Sequence, residues 1–411
     1  MASKINRKFV MVVGGFAVAA ILLLVAVILV NQLWLKNAER HIRAGDDLMA
    51  QGKLREAYSM YGRALAKKPD VVRYVEKMEE ALGKTVANTP AQSVEDYRSM
   101  MQLKRAHTRA QPGDPAQWRI LLDALESEAA MYLRGDGWVT IETDGKDMKD
   151  VMPPGSEGMR IAEETVLHAR AEREAVLTPG ERSELEKQIE DFLKVAPKSW
   201  RAWSGLLAIQ TADVARLRNA GQEQAAARRE KQMDASLAAM QAALKDGDGK
   251  AQCALATAEV DRLVLQGRVG QRVDSTKLDK AKVDAACERL GDAALKLGDP
   301  SIIHSTAIKI AESQGTDPAV KFLEKWLEAS PKDVISLNLV LELGARLRNE
   351  KESFDCVQRT AKRILDLPTL PTSLASSIQP DARARALQVL IESLIVQMSR
   401  TGVRSEEHTS E

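Results

Sequence analysis

Between residues 37 and 70 the chain reads NAERHIRAGDDLMAQGKLREAYSMYGRALAKKPD, and this stretch narrows the choice of fold more than any other. Apolar or small residues recur at steps of three and four, first at Ala44 and Leu48, then at Ala57, Tyr61, Ala64 and Leu65. That spacing places them on one face of a helix. Gln51-Gly52-Lys53 breaks the pattern. Pro69 stops the second run, because proline has no backbone N–H to donate. The spacing predicts two amphipathic helices folded back on each other, with Gly45 and Ala57 small enough to let them approach closely.

The rest of the composition fits an all-α chain. Ala, Leu, Glu, Lys, Arg and Gln dominate, residues that lose little side-chain freedom in a helix. Aromatics make up only 4%, and strand-favouring residues are scarce outside one short stretch. With 59 basic and 58 acidic residues the net charge is +1, and no basic block interleaves with aromatics. A nucleic-acid partner is therefore not expected, since it needs a clustered basic face. Cys253, Cys287 and Cys356 are too few and too far apart for a disulfide framework or a zinc site, and read as small packing residues.

The stretch 37–70 resembles the tetratricopeptide repeat family, whose units are helix-turn-helix pairs of about 34 residues. Gly45, Leu48, Gly52, Ala57, Tyr61, Ala64 and Pro69 fall where that family places its signature residues, while His41 stands where its first-helix Trp would be. Later units keep the frame loosely. Ile189, Phe192 and Pro197 resemble a second-helix ending, followed by Trp203 and Leu206 in first-helix positions. Residues 300–331 and 334–368 give two further units, and Pro197 and Pro331 lie 134 residues apart, close to four periods of about 34. Residues 211–299 are Ala-rich and helical but degenerate as repeats.

Residues 9–30 are 22 residues without a charge. As a helix they would reach roughly 33 Å at about 1.5 Å per residue, enough for a hydrocarbon core of about 30 Å. The run is longer than a signal-peptide core and no small-x-small cleavage site follows it, so an uncleaved anchor is expected. Lys4, Arg7 and Lys8 before it point to a cytoplasmic tail and a periplasmic body. Gly15 and Ala19 make a small-xxx-small pair through which two such helices could meet, one route to a homo-oligomer.

The expected organisation is a basic tail (1–8), a transmembrane signal-anchor helix (9–31), repeats (37–135), an insertion (136–157), degenerate repeats (158–403) and a tail (404–411). In the insertion, residues 137–142 alternate and Asp144-Gly145 suits a hairpin turn, so a small hairpin or loop is predicted. Residues 404–411 resemble the translation of a common sequencing adapter, which would make them non-native and leave the natural chain running past about residue 403. The fold expected is thus all-α: a transmembrane helix, then a right-handed solenoid of TPR-like helix pairs with one insertion.

No catalytic constellation stands out. The histidines His41, His107, His168, His304 and His408 make no zinc-ligand spacing, and Gly155-Ser156-Glu157-Gly158 is not a nucleophile elbow. Asp246-Gly247-Asp248-Gly249-Lys250 lacks the rest of a calcium loop, with Thr257 at the twelfth position, and reads as a polar turn. No enzyme activity, cofactor or metal is expected. The resemblance implies a concave face lined by the first helix of each pair. It would offer Glu39, Ile42, Asp46 and Met49 in the first unit, Ser301, His304 and Ile308 in the unit from Pro300, and Ile335, Asn338 and Glu342 in the unit from Val334.

In layout the chain is similar to bacterial proteins with one signal anchor followed by such repeats, which serve secretion, outer-membrane assembly or cytochrome maturation. The expectation is a scaffold or adaptor in the bacterial inner (cytoplasmic) membrane, with the membrane and an unknown protein or peptide as partners. Two other readings stay open: a substrate-recruiting arm whose catalytic domain lies past the tail, and a self-assembling structural protein.

Overall fold

The computed structural model describes residues 38–132, 135–269, 272–273 and 278–407, together with Ile21. Among them are seventeen α-helices and a short 3-10 helix (Glu174–Val176), and the only paired strands described are two residues long, β1 (Arg268–Val269) and β2 (Arg272–Val273), which run antiparallel. The chain divides into two compact units. The first holds the described residues up to Thr85 and Ser99–Gln111; the second holds Val86–Arg98 and everything from Pro112 on.

The first unit contains α1 (Ala38–Ala50), α2 (Leu54–Leu65), α3 (Val72–Gly83) and the later part of α4 (Pro90–Ala110). The break at 51–53 is a left-handed helix stop. Gly52 sits at φ +73°, its N–H bonds to the Met49 carbonyl and the Lys53 N–H to the Leu48 carbonyl. This pairing satisfies the last carbonyls of α1, and glycine reaches that φ without steric cost. α2 then returns against α1. A Cβ at Gly45 would stand 2.4 Å from Cε1 of Tyr61, so a bare backbone here is what admits the ring. Ile42, Ala57, Ala64, Tyr74, Val75 and Ala81 complete the core. Polar atoms close its edge: the Tyr61 hydroxyl and the Lys77 ammonium both donate to Asp46, at 2.8 and 2.6 Å, and the Tyr74 hydroxyl donates to Glu39 at 2.6 Å.

In the second unit the helices alternate in role. α5 (Pro115–Tyr132), α7 (Glu157–Ala171), α9 (Trp200–Asn219), α11 (Gly249–Leu265), α13 (Pro300–Gln314) and α15 (Val334–Gly344) pack successively on one another. Their hairpin partners are α6 (Gly135–Val151), α8 (Pro179–Val195), α10 (Glu223–Leu244), α12 (Lys280–Leu297), α14 (Thr316–Ala329) and α16 (Glu350–Asp366). α17 (Leu374–Glu407) follows, packed on α15 and α16. Two contacts bring distant parts of this unit together: α5 also packs on α13, and the Ser93 hydroxyl donates to the Ser376 carbonyl at 2.6 Å. A local motif recurs at α5 and α9, where the Trp118 and Trp203 indole N–H groups donate to the carbonyls of Pro112 and Pro197, each six residues earlier. Side-chain caps start most of the later helices. Thr178 and Glu181 form a reciprocal capping box on α8, and Asp248, Asp299, Asp333 and Asn349 accept from the first N–H groups of α11, α13, α15 and α16.

Two expectations are corrected. The hairpin expected within 136–157 is instead a helix, α6. Its alternation over 137–142 is outweighed by a longer helical pattern: Ile141, Met148 and Met152 are buried, and Gly145 lies on the same face. A Cβ on Gly145 would approach Val166 of α7 to 3.0 Å, so this glycine serves close helix packing rather than a turn. The second correction concerns location. Among the described residues no helix is long and apolar enough to cross a membrane. The run 9–30, on which the expected inner-membrane location and periplasmic body rested, lies outside the described residues apart from Ile21. That location is therefore withdrawn. Residues 408–411, which hold His408 and the end of the suspect tail, also lie outside the described residues.

The Gly45–Tyr61 contact gives a direct test. Gly45→Ala should destabilise the α1–α3 region by about 1–3 kcal/mol, the usual cost of overpacking a filled core. Amide hydrogen exchange in α1 and α2 should accelerate accordingly. Unchanged exchange would show that the helices separate freely at this point.

Candidate functional site

The second unit encloses a groove of ≈ 440 Å³, walled by residues of α5, α6, α7, α9, α11 and α13. Its organising feature is Arg201. The sequence puts a cation in the first turn of α9, where the exposed N–H groups already carry partial positive charge. Its side chain is only 4% exposed, and carboxylates surround it. Nε and an Nη of Arg201 make a forked pair with Glu126 of α5, at 3.0 and 2.7 Å, and the same Nη reaches Asp123 at 2.7 Å. Glu164 of α7 stands 3.8 Å away and also accepts from the Ser199 hydroxyl at 2.6 Å. Burial alone would lower the guanidinium pKa, but the surrounding carboxylates, Glu126 foremost, hold it above its ordinary value. One buried cation thereby ties α9 to α5 and α7.

Beside this cluster lie two indoles. The Arg201 guanidinium stacks over the Trp200 ring at 4.6 Å. His168 of α7 sits between Trp138 and Trp200, edge-on to both, with centroids 5.4 and 6.0 Å away. His168 is 7% exposed and its Nδ1 has no hydrogen-bond partner. Burial drives its pKa below the ordinary 6.5, against the opposing charge of Glu172. Across the groove, Lys250 of α11 stands 3.8 Å from Asp123, and Lys309 of α13 pairs with Asp261 at 2.7 Å.

The residues expected on a concave face separate into different settings. Ser301 and Ile308 line the groove. His304 does not; it is half-buried, its pKa lowered by burial, with Glu342 and Asp333 acting on it. Asn338 donates to Glu342 at 3.3 Å, and Glu342 is ion-paired with Arg385. Ile335 is 6% exposed and Ile42 is fully buried, so neither presents a contact surface; both are corrected to core residues. In the first unit Glu39 and Asp46 already accept hydrogen bonds from Tyr74, Tyr61 and Lys77, and Met49 packs partly into the core. Of the signature residues, Ala57, Tyr61 and Ala64 are buried, Leu48 packs against them, and Pro69 is exposed between α2 and α3.

Sequence reasoning missed the groove's main residues. Asp123, Glu126, Trp138, His168 and Arg201 come from four helices, and only Asp123 and Glu126 share a local spacing. The one available signal was tryptophan: the chain has six, and Trp138 and Trp200 both face this groove. The cysteines are buried and free, and burial pushes Cys253 and Cys287 up to about 11, which leaves them as protonated packing groups. Asp248, in the stretch weighed as a calcium loop, caps α11. Among the described residues no group of three or more His, Cys, Asp or Glu could hold a metal ion.

No family model and no curated protein matches the chain. Among solved structures it is similar to the human IFIT1 dimer with m7Gppp-AAAA, at 13% identity over 88% of this chain and 72% of that one, TM-score 0.41. It is also similar to yeast Tom70, at 13% identity over 93% of each chain, TM-score 0.29. A third is the P58(IPK) TPR domain, at 12% identity over 87% of this chain and 99% of that one, TM-score 0.20. Likeness at this level says nothing of what this chain binds.

Two outcomes follow from the cluster. Arg201→Met would leave three carboxylates around an apolar side chain. It should cost about 3–5 kcal/mol in urea unfolding, as for other broken buried ion pairs; a loss below about 1 kcal/mol would mean the carboxylates relax into water. The second outcome concerns acid. The folded pKa of His168 lies below its ordinary 6.5, so as pH falls the unfolded chain takes up this proton first. Stability should be full above pH 6.5 and decline as pH falls below it, and His168→Phe should flatten that slope in denaturant titrations. An unaltered slope would place the pH dependence elsewhere.

Proposed function

We propose that this chain is a helical-repeat scaffold whose second unit holds a segment of a protein partner in the groove between α5, α7, α9, α11 and α13. The observation that carries the reading is the groove itself. It has a volume of ≈ 440 Å³, is lined from six different helices, and offers both indole rings and charged side chains. Apolar body with a few placed polar groups is the usual make-up of a binding cleft. Its walls are braced by the Arg201 cluster, so the surface is formed before a ligand arrives.

A photoreactive amino acid placed at Ser305, an exposed groove residue of α13, tests this. Irradiation in cells that make the protein should yield discrete polypeptide adducts, and these should weaken when Trp138→Leu is added. The same probe at Glu190 on α8, outside the groove, should yield none of them. Identical adducts from both positions, or none from Ser305, would contradict the proposal.

A further inference from the structure

We propose that the groove selects a cationic segment, a lysine or arginine side chain presented by an extended polypeptide, over acidic or purely apolar ones. This rests on the reading of the groove as a polypeptide site. Charge is the first argument. Five carboxylates line the groove against two lysines, and with the Arg201 guanidinium that holds Asp123 and Glu126 counted as well, two negative charges remain in surplus on a chain whose net charge is +1. Both lysines are already engaged, Lys309 with Asp261 and Lys250 with Asp123. The local field therefore favours an incoming cation, and low-dielectric walls concentrate that field.

The aromatic pair is the second argument. A cation within about 6 Å of an indole centroid is attracted by the ring's quadrupole. Trp200 already takes a guanidinium in this way, that of Arg201 at 4.6 Å, so the chemistry is realised once within the chain. Trp138, on the other side of His168, is half-buried at the groove wall. Glu172 lines the groove as well and is exposed. A basic side chain against Trp138 with its charge toward Glu172 would match the pattern that Arg201 makes with Trp200 and Glu126.

His168 is the third. It lines the groove, is 7% exposed, and its Nδ1 lacks a hydrogen-bond partner. A buried nitrogen without a partner is costly, so such groups call for an explanation in the function of the site. A neutral imidazole has one accepting nitrogen, and a donor arriving with the ligand would satisfy it after a small side-chain shift.

The test uses the full chain and three labelled twelve-residue peptides of Gly and Ser carrying lysine and arginine, glutamate, or no charge, read by fluorescence anisotropy. The basic peptide should bind best and lose affinity as salt screens the groove. Trp138→Leu should weaken it about tenfold, between the exposed and the desolvated strength of a cation–π contact, and Glu172→Gln about threefold, as for an exposed ion pair. Glu190→Gln, outside the groove, should leave it unchanged. Glu172 is exposed, so its variant keeps the test independent of any folding defect from Trp138→Leu. Stronger binding of the neutral or acidic peptide, still weakened by Trp138→Leu, would overturn the charge preference and leave the polypeptide reading standing. Basic-peptide binding indifferent to both groove variants would overturn the inference, since the contact would lie elsewhere. No binding of any peptide would overturn both.

Discussion

Arg201 is the pivot of the second unit. Its guanidinium is almost wholly withdrawn from water, and only the carboxylates of Asp123, Glu126 and Glu164 make that tolerable. Those three groups belong to α5 and α7, whereas Arg201 begins α9. The interaction therefore fixes three helices in one arrangement that apolar packing alone would leave adjustable. Apolar side chains tolerate several near-equivalent packings; a forked charge pair tolerates one. The same residue orients Trp200 by stacking on it, and Trp200 in turn flanks His168. Structure and candidate site are thus built from one set of contacts.

The two units reach stability by different local means. In the first, close approach dominates: Gly45 admits the Tyr61 ring, and tyrosine hydroxyls and a lysine settle on Asp46 and Glu39. In the second, the helices are longer and many carry a side-chain cap, and ion pairs link helices across the array. Arg229 with Glu186 and Asp213, and Arg262 with Glu230 and Asp234, repeat on α8 to α11 the role that Arg201 has on the groove side. Pairs of this partly exposed kind contribute little singly, and they set register more than they add free energy.

How much was legible in the sequence depends on the range of the interactions. The first helical pair could be read in detail, because its signals lie within 34 residues and the key contacts, Gly45 with Tyr61 and the stop at Gly52, are local. The helical character of the later chain was also legible from composition. Residues 136–157 were misread because a six-residue alternation resembles a strand; the decisive evidence was Ile141, Gly145 and Met148 on one helix face, a longer period that only packing against α7 makes visible. The groove was not legible. Its members run from Asp123 to Glu312 on six different helices, and a solitary Arg, His or Glu on an amphipathic helix reads as ordinary surface until the fold brings it beside others. Of the residues expected on a concave face, Ser301 and Ile308 line this groove, whereas Ile335 and Ile42 are buried in the core.

The central claim is that the second unit presents a preformed groove to a basic polypeptide segment. Hydrogen exchange on the full chain, with and without a saturating lysine- and arginine-bearing peptide, measures this most directly. Protection should rise in α5, α7, α9, α11 and α13, with α8, α10 and the whole first unit unchanged. Protection confined to α8 and α10, or to the first unit, would contradict it.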